Sequence, residues 1–321
     1  MPESSSSPVL ALVDWGTSSF RLWLVDENGE TTYSAHSSEG MVAARSSGFD
    51  KTLEKHIADG QGNSNIPAVI CGMAGAKTGW HQARYLALPA DFEVIANAAV
   101  KVPDLTRDVF ILPGIAKRNA DAPDVMRGEE TLVVGALANR PKGGAWCCLP
   151  GTHSKWVSVA DGRISDFRTY MTGDLFKALS NHTILSQSSS GAGGTSPTIP
   201  LEQRKEFAQS VLAASSNPEQ ATALLFSIRA YGLLRDEDAF QAVARLSGTL
   251  IGLELAGMNT SLGNEPVLLI SEGSIGACYQ RAFEETGTQY ELIKAEDAVK
   301  TGLIAAGRML GLMPSSYPVD A

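Results

Sequence analysis

The sequence predicts an α/β protein of two similar domains, and three observations lead there. The first is a segment that occurs twice: residues 9–26 read VLALVDWGTSSFRLWLVD and residues 146–162 read WCCLPGTHSKWVSVADG. Each is an apolar strand, a small-residue turn built on Gly-Thr with Ser after it, and a second strand ending in a polar turn. The second is the order of elements along the chain, with strands in runs, then helices, then strand-glycine-helix. The third is size and composition. A chain of 321 residues, 44% hydrophobic and 19% charged, can fill two ordinary cores.

Val9 to Val13 is a continuous apolar run, as in a strand covered on both faces. Phe20, Leu22 and Leu24 then alternate with Arg21 and Trp23, and Asn28-Gly29 closes the unit with hairpin chemistry. Further strands are expected over 67–71, 92–95 and 109–112, separated by glycine-rich connections at 71–80 and 112–115. Residues 127–139, RGEETLVVGALAN, read as a helix with acids in its first turn. Pro141 to Gly144 is the expected crossing between domains. After the second strand-turn-strand unit, the Ser/Gly-rich stretch 186–200 is expected to be a surface loop. Helices are expected over 202–215, 218–233 and 236–257. Val267 to Ile270 reads as a buried strand leading through SEGSIG to a helix at 276–286. The last helix, 295–310, carries alanines and glycines suited to close packing.

A net charge of −9 offers no basic footprint for nucleic acid or an anionic membrane surface, so neither is expected as a partner. No apolar stretch approaches a membrane span. MPESSSSPVL lacks signal-peptide features and reads as a loose tail, and a cytoplasmic location is expected. Cys71, Cys147, Cys148 and Cys278 form no CxxC pair and read as buried thiols.

Turns of Gly, Thr and Ser between strands expose backbone N–H groups without bulk, which suits phosphate oxygens. Gly16, Thr17 and Ser18 form one candidate phosphate loop; Gly151, Thr152, His153 and Ser154 form the other, with Lys155 able to meet a phosphate or to be a solvated strand lysine. Either turn alone could be an ordinary hairpin; two, half a chain apart, suggest domains facing one nucleotide. Asp14, ending the first strand, can hold Mg²⁺ through water beside the phosphates or merely cap the turn.

The paired turns match the actin/hexokinase-like (ribonuclease H-like) architecture, two similar domains flanking a nucleotide cleft. The combination DWGTSSFRLWL (14–24), CGMAGAKTGW (71–80), ILPGI (111–115), DVMRGEET (124–131), LPGTHSKWV (149–157) and FRTYMTGDLFKALSNHTIL (167–185) resembles the 2-dehydro-3-deoxygalactonokinase family over residues 9–312. That resemblance implies phosphorylation of the 6-hydroxyl of 2-dehydro-3-deoxy-D-galactonate with ATP and Mg²⁺. The implied organisation is a tail over 1–8 and a first domain over 9–143 with the first phosphate loop and sugar-acid site. A second domain over 144–312 carries the second loop and adenosine site, its last helix free to pack back on the first domain, and a tail spans 313–321. The homo-oligomeric state stays open.

Within RGEET, the acid just after glycine resembles the base of related carbohydrate kinases, which makes Glu129 the first choice. Glu130 and Asp174 are alternatives, and first-turn helix stabilisation or an N-cap are the plain readings of these acids. A keto acid's carboxylate wants Arg, Lys or helix N-terminal donors. Arg127 is placed for it, with Gly75, Lys77, Trp80 and Arg84 in or beside the glycine-rich segment as further pocket candidates; each charge could instead lie on the surface, and for Arg84 that is the favoured reading. His153 could donate to phosphate or substrate; His182 reads as structural. SEGSIG resembles the superfamily's adenosine turn, with Glu272, Gly273 and Ser274 as contacts or, instead, Ser274 as a helix cap. The family's Gly-Gly start is here Glu272-Gly273. Rival readings are an actin- or chaperone-like ATP switch, a kinase for the gluconate epimer, and a polyphosphate phosphatase of the same fold.

Overall fold

The computed structural model describes residues 7–63, 65–119, 121–138, 140, 143–189, 199–259, 261–262 and 266–314. The expected tails fall largely outside these residues, as do Pro141 and Lys142 of the crossing and 190–198 of the Ser/Gly-rich stretch.

The chain opens with an antiparallel meander, β1 (Leu10–Trp15), β2 (Phe20–Val25) and β3 (Thr31–Ser37). Helices α1 (Met41–Ser47) and α2 (Phe49–Asp59) lead to β4 (Ala68–Gly72), which pairs in parallel with β1. Next come β5 (Leu86–Ala87), β6 (Ala90–Asp91), α3 (Phe92–Asn97), β7 (Val100–Lys101), β8 (Val109–Ile111), β9 (Ile115–Lys117), β10 (Asp124–Met126) and α4 (Glu129–Leu137). The second half repeats the opening with β11 (Ala145–Leu149), β12 (Ser154–Ala160) and β13 (Arg163–Tyr170). Helices α5 (Thr172–His182), α6 (Ser186–Ser189), α7 (Lys205–Ser216), α8 (Ala221–Leu234) and α9 (Ala239–Met258) come after it. The order then runs β14 (Val267–Ile270), α10 (Gly273–Thr286), β15 (Tyr290–Ile293) and α11 (Ala295–Met309).

The chain divides into two compact units. One holds the residues up to 144 together with 159–167 and the segment from 295 onward; the other holds 145–158 and 168–294. In the first unit the main sheet runs β3-β2-β1-β4-β8-β7. Strand β1 is buried on both faces, as its apolar run requires. Ala11, Val13 and Trp15 pack with Met41, Phe49, Leu53 and Ile57 of α1 and α2, while Leu10 and Leu12 pack with Val299, Leu303 and Ala306 of α11. Each such fully buried aliphatic side chain contributes about 1.5–3 kcal/mol. Helix α11 lies against α4 with backbones in contact: a Cβ on Gly302 would sit 2.2 Å from the Thr131 carbonyl oxygen.

In the second unit the strand order β15-β14-β11-β12 reproduces the β8-β4-β1-β2 order of the first. Parallel pairings join β11 to β14 and β14 to β15. This is the repeated ribonuclease H-like arrangement expected of the fold class. Its core joins Trp156 of β12 and Leu269 of β14 to Phe207, Ile251, Tyr279 and Phe283 of the helices.

One expected strand is a helix. Residues 92–95 belong to α3, because Asp91 caps its start and accepts from the Val94 amide at 2.9 Å. Local capping overrides the β-prone Phe, Val and Ile. The helix expected from 276 begins three residues earlier, at Gly273, and Ser186–Ser189 of the expected loop form α6.

Candidate active site

In the first unit, the turn from β1 to β2 is pinned from behind. The carbonyls of Gly16 and Thr17 accept from the Met41 and Val42 amides at 2.9 and 3.1 Å, satisfying first-turn donors of α1. Gly40 lies so near that a Cβ there would stand 2.5 Å from Ser18 backbone atoms. Thr17 and Ser18 are left exposed. Asp14, at the end of β1, holds the Arg21 guanidinium through Oδ2, and its Oδ1 faces the Cys71 thiol.

Helix α4 starts against the end of β4, where two glycines meet. Gly72, ending β4 at φ +90°, and Gly128, at φ +106°, adopt backbone conformations that disfavour side chains; a Cβ on Gly128 would be 3.3 Å from the Gly72 Cα. The contact brings the two acids of RGEET beside the strand ends. Glu130 is fully buried, and both its oxygens accept from the Gly128 amide at 2.9 Å. Burial, then the neighbouring Glu129 charge, pushes its carboxyl up to about 8. Glu129 is half-buried and accepts from the Arg127 amide at 2.9 Å.

Arg127 lies over the Tyr85 ring, 4.3 Å from its centroid, and donates through Nη2 to the Ala83 carbonyl at 2.8 Å. Its Nε and Nη1 are buried without a hydrogen-bond partner. Gly75 makes room for it, since a Cβ there would sit 2.8 Å from Nη1.

The second unit pins its turn by the same device. The Thr152 carbonyl accepts from the Asp174 amide at 3.0 Å, and a Cβ on Gly173 would stand 2.5 Å from the Gly151 carbonyl oxygen. Gly151, Thr152 and His153 are exposed. Beside this turn opens a cavity of about 880 Å³, within the size range of small-molecule and cofactor sites. The turn contributes Gly151 and Thr152, α9 contributes Leu250 and Ile251, and α10 contributes Gly273 and Ser274. Lys177 of α5 is the sole cation among the described lining residues, and its Nζ reaches the Thr152 hydroxyl at 3.5 Å.

Some predicted residues stand elsewhere. The Ser154 hydroxyl turns inward: Ser154 is wholly buried in β12, 2.9 Å from the Tyr279 hydroxyl. Trp80 is half-buried and packs against the core, stacked on Phe49 at 5.8 Å and edge-on to Trp15 at 5.9 Å. Lys77 and Arg84 are exposed, and Lys155 is buried with its Nζ 3.3 Å from the His153 carbonyl. Asp174 does not cap α5; it lies in the first turn, 3.4 Å from His153 Nε2. Ser274 does not cap α10, whose N-cap is the exposed Glu272. His182 ends α5, exposed. Gly40, Tyr85, Gly173, Lys177 and Glu202, which lines the cavity, went unnoticed in the sequence because their partners are far along the chain.

Two ribonuclease H-like units, each with a pinned Gly-Thr turn, one of them opening on a cavity, define a sugar kinase of the actin/hexokinase class that uses ATP. A family model described as 2-keto-3-deoxy-galactonokinase matches residues 14–306. The chain belongs to that family. It is 45% identical over 301 residues to the protein of Rhizobium meliloti (strain 1021) named probable 2-dehydro-3-deoxygalactonokinase DgoK1, covering 94% of this chain and 97% of the relative. It is 32% identical over 292 residues to the 2-dehydro-3-deoxygalactonokinase of Escherichia coli (strain K12), covering 91% and 94%. A crystal structure from Sinorhizobium meliloti bearing the same enzyme name matches with a TM-score of 0.89 at 44% identity, covering 94% of this chain and 99% of that one. Among the described residues, no helix is long and apolar enough to cross a membrane.

Proposed function

We propose that the protein transfers the γ-phosphoryl group of ATP to the 6-hydroxyl of 2-dehydro-3-deoxy-D-galactonate. The observation that carries this reading is Arg127, a part-buried guanidinium with two unpartnered donors, its third nitrogen held only by the Ala83 carbonyl among the described residues. A cation held in this way suits an acceptor that brings its own carboxylate. It lies next in sequence to Gly128 and the acids of α4.

The nucleotide belongs in the cavity of the second unit, its phosphates toward Gly151, Thr152 and Lys177 and its adenosine toward Gly273 and Ser274. Glu129 is the base. Its half-buried carboxylate takes the proton of the acceptor hydroxyl as that oxygen bonds to the γ-phosphorus and the bond to the β-phosphate oxygen breaks, releasing ADP. Glu130 suits the role less, since both its oxygens are held by the Gly128 amide inside the protein.

Mg²⁺ fits a donor set of one carboxylate, because it keeps most of its waters and takes its remaining ligands from phosphates. Asp14 would hold it through water, its Oδ2 being engaged by Arg21. Bound there, the ion neutralises charge that develops on the transferring group. ³¹P and ¹³C NMR of the product tests the regiochemistry. Phosphorus coupling confined to C6 and, through three bonds, C5 is expected, and coupling to any carbon beyond these refutes the assignment.

A further inference from the structure

Beneath the cavity of the second unit lies a buried carboxylate that ties together the elements around it. Glu254 of α9 is 2% exposed. Its Oε1 accepts from Trp156 Nε1 of β12 at 2.8 Å, and its Oε2 accepts from the hydroxyls of Thr172, which opens α5, and of Tyr279 of α10, the latter at 2.7 Å. Tyr279 in turn stands 2.9 Å from the Ser154 hydroxyl, the residue directly after the Gly151–His153 turn. Tyr279, Thr172 and Trp156 donate to the Glu254 carboxyl, whose titration burial pushes up, and Tyr279, its proton so engaged, accepts from Ser154. Thr172 and Tyr279 also line the cavity.

A buried carboxyl is costly unless its hydrogen bonds are complete, so each lost partner weakens the arrangement. Through Glu254 the strand after the turn, the start of α5 and the middle of α10 are tied to α9.

We propose that Glu254 is a positioning residue of the nucleotide site, fixing the phosphate turn, α5 and α10 at the spacing that ATP requires. This rests on the cavity being the nucleotide site. Glu254 touches no reacting atom, so its loss is read in nucleotide affinity and not in the sugar-acid KM.

The test combines calorimetric binding of a non-hydrolysable ATP analogue with steady-state KM for both substrates, on wild type, Glu254→Gln, Tyr279→Phe and Ser274→Trp. Glu254→Gln keeps the shape and replaces an acceptor oxygen with an NH2 donor, and is expected to weaken the analogue about tenfold with the sugar-acid KM unchanged. Tyr279→Phe removes one of the hydrogen bonds to Glu254 and with it the relay to Ser154, leaving Thr172 and Trp156 in place, and should weaken it by a smaller factor. Normal analogue affinity in folded Glu254→Gln, whatever its melting temperature, overturns the positioning role; should that variant not fold, normal affinity in Tyr279→Phe does so. Ser274→Trp fills the cavity from an exposed position. If it binds the analogue as wild type does, the cavity is not the nucleotide site and both readings fall.

Discussion

Thr17 and Thr152 hold corresponding posts in the two units. Each lies in the Gly-Thr turn after the first strand of its sheet, and each carbonyl accepts a first-turn amide of the helix after the third strand. The donors are Val42 at 3.1 Å and Asp174 at 3.0 Å. The device turns the carbonyls away from the exposed face and anchors the turn to a helix, which suits a loop that must meet phosphate without reorganising.

Gly173 is the tight point of that device in the second unit. A methyl group there meets the Gly151 carbonyl oxygen at 2.5 Å, so the turn or the helix must shift, at about 1–3 kcal/mol. Gly173→Ala is expected to raise the KM for ATP about tenfold while the sugar-acid KM holds. Initial-rate kinetics with each substrate varied in turn would show it.

Glu129→Gln is expected to lower kcat by about a hundredfold to ten-thousandfold, the range for loss of a positioned base. Binding of a non-hydrolysable ATP analogue should stay within a factor of about two by calorimetry. Near-normal kcat would move the base assignment elsewhere.

Arg127→Ala should raise the sugar-acid KM about tenfold to a hundredfold, the worth of a charge-assisted hydrogen bond. Arg127→Lys should restore little, because an ammonium cannot reproduce the planar fork resting on Tyr85. An unchanged sugar-acid KM in both variants would take Arg127 out of the substrate site.

Glu130 gives the fold a pH dependence of defined sign. Its carboxyl is raised from 4.5 to about 8, so between those values the folded protein binds more protons than the unfolded chain. Its contribution to stability is full below about 4.5 and is lost as pH climbs through about 8, each unit of the rise being worth about 1.4 kcal/mol. Glu130→Gln removes that loss. Urea denaturation at pH 5 and 8.5 should show wild type losing more stability than the variant; equal losses would contradict a carboxyl raised by burial.

Much of the fold was legible because it follows from local pattern. The apolar runs of β1 and β14 and the acid-led start of α4 are visible within a few residues of chain. Residues 92–95 misled because their β-prone side chains say nothing of the Asp91 cap that bends them into α3. At the site, the exposed Gly-Thr turns announce themselves by composition. Whether a hydroxyl faces ligand or core does not, which is why Ser154 reads like its neighbours yet bonds Tyr279, 125 residues away. The packing of Trp80 is hidden for the same reason, its partners Phe49 and Trp15 lying 31 and 65 residues back. Gly173 and Lys177 carry no local signature. They matter only through the turn they meet in space.

Acceptor-dependent phosphoryl transfer to one sugar acid is the activity on which every assigned role depends. It is tested by Mg²⁺-dependent ADP release from ATP, measured in parallel with 2-dehydro-3-deoxy-D-galactonate, its gluconate epimer and no acceptor. Turnover should strongly favour the galactonate compound, with little release when no acceptor is present. ADP release indifferent to the sugar acid, or preference for the epimer, would refute the assignment.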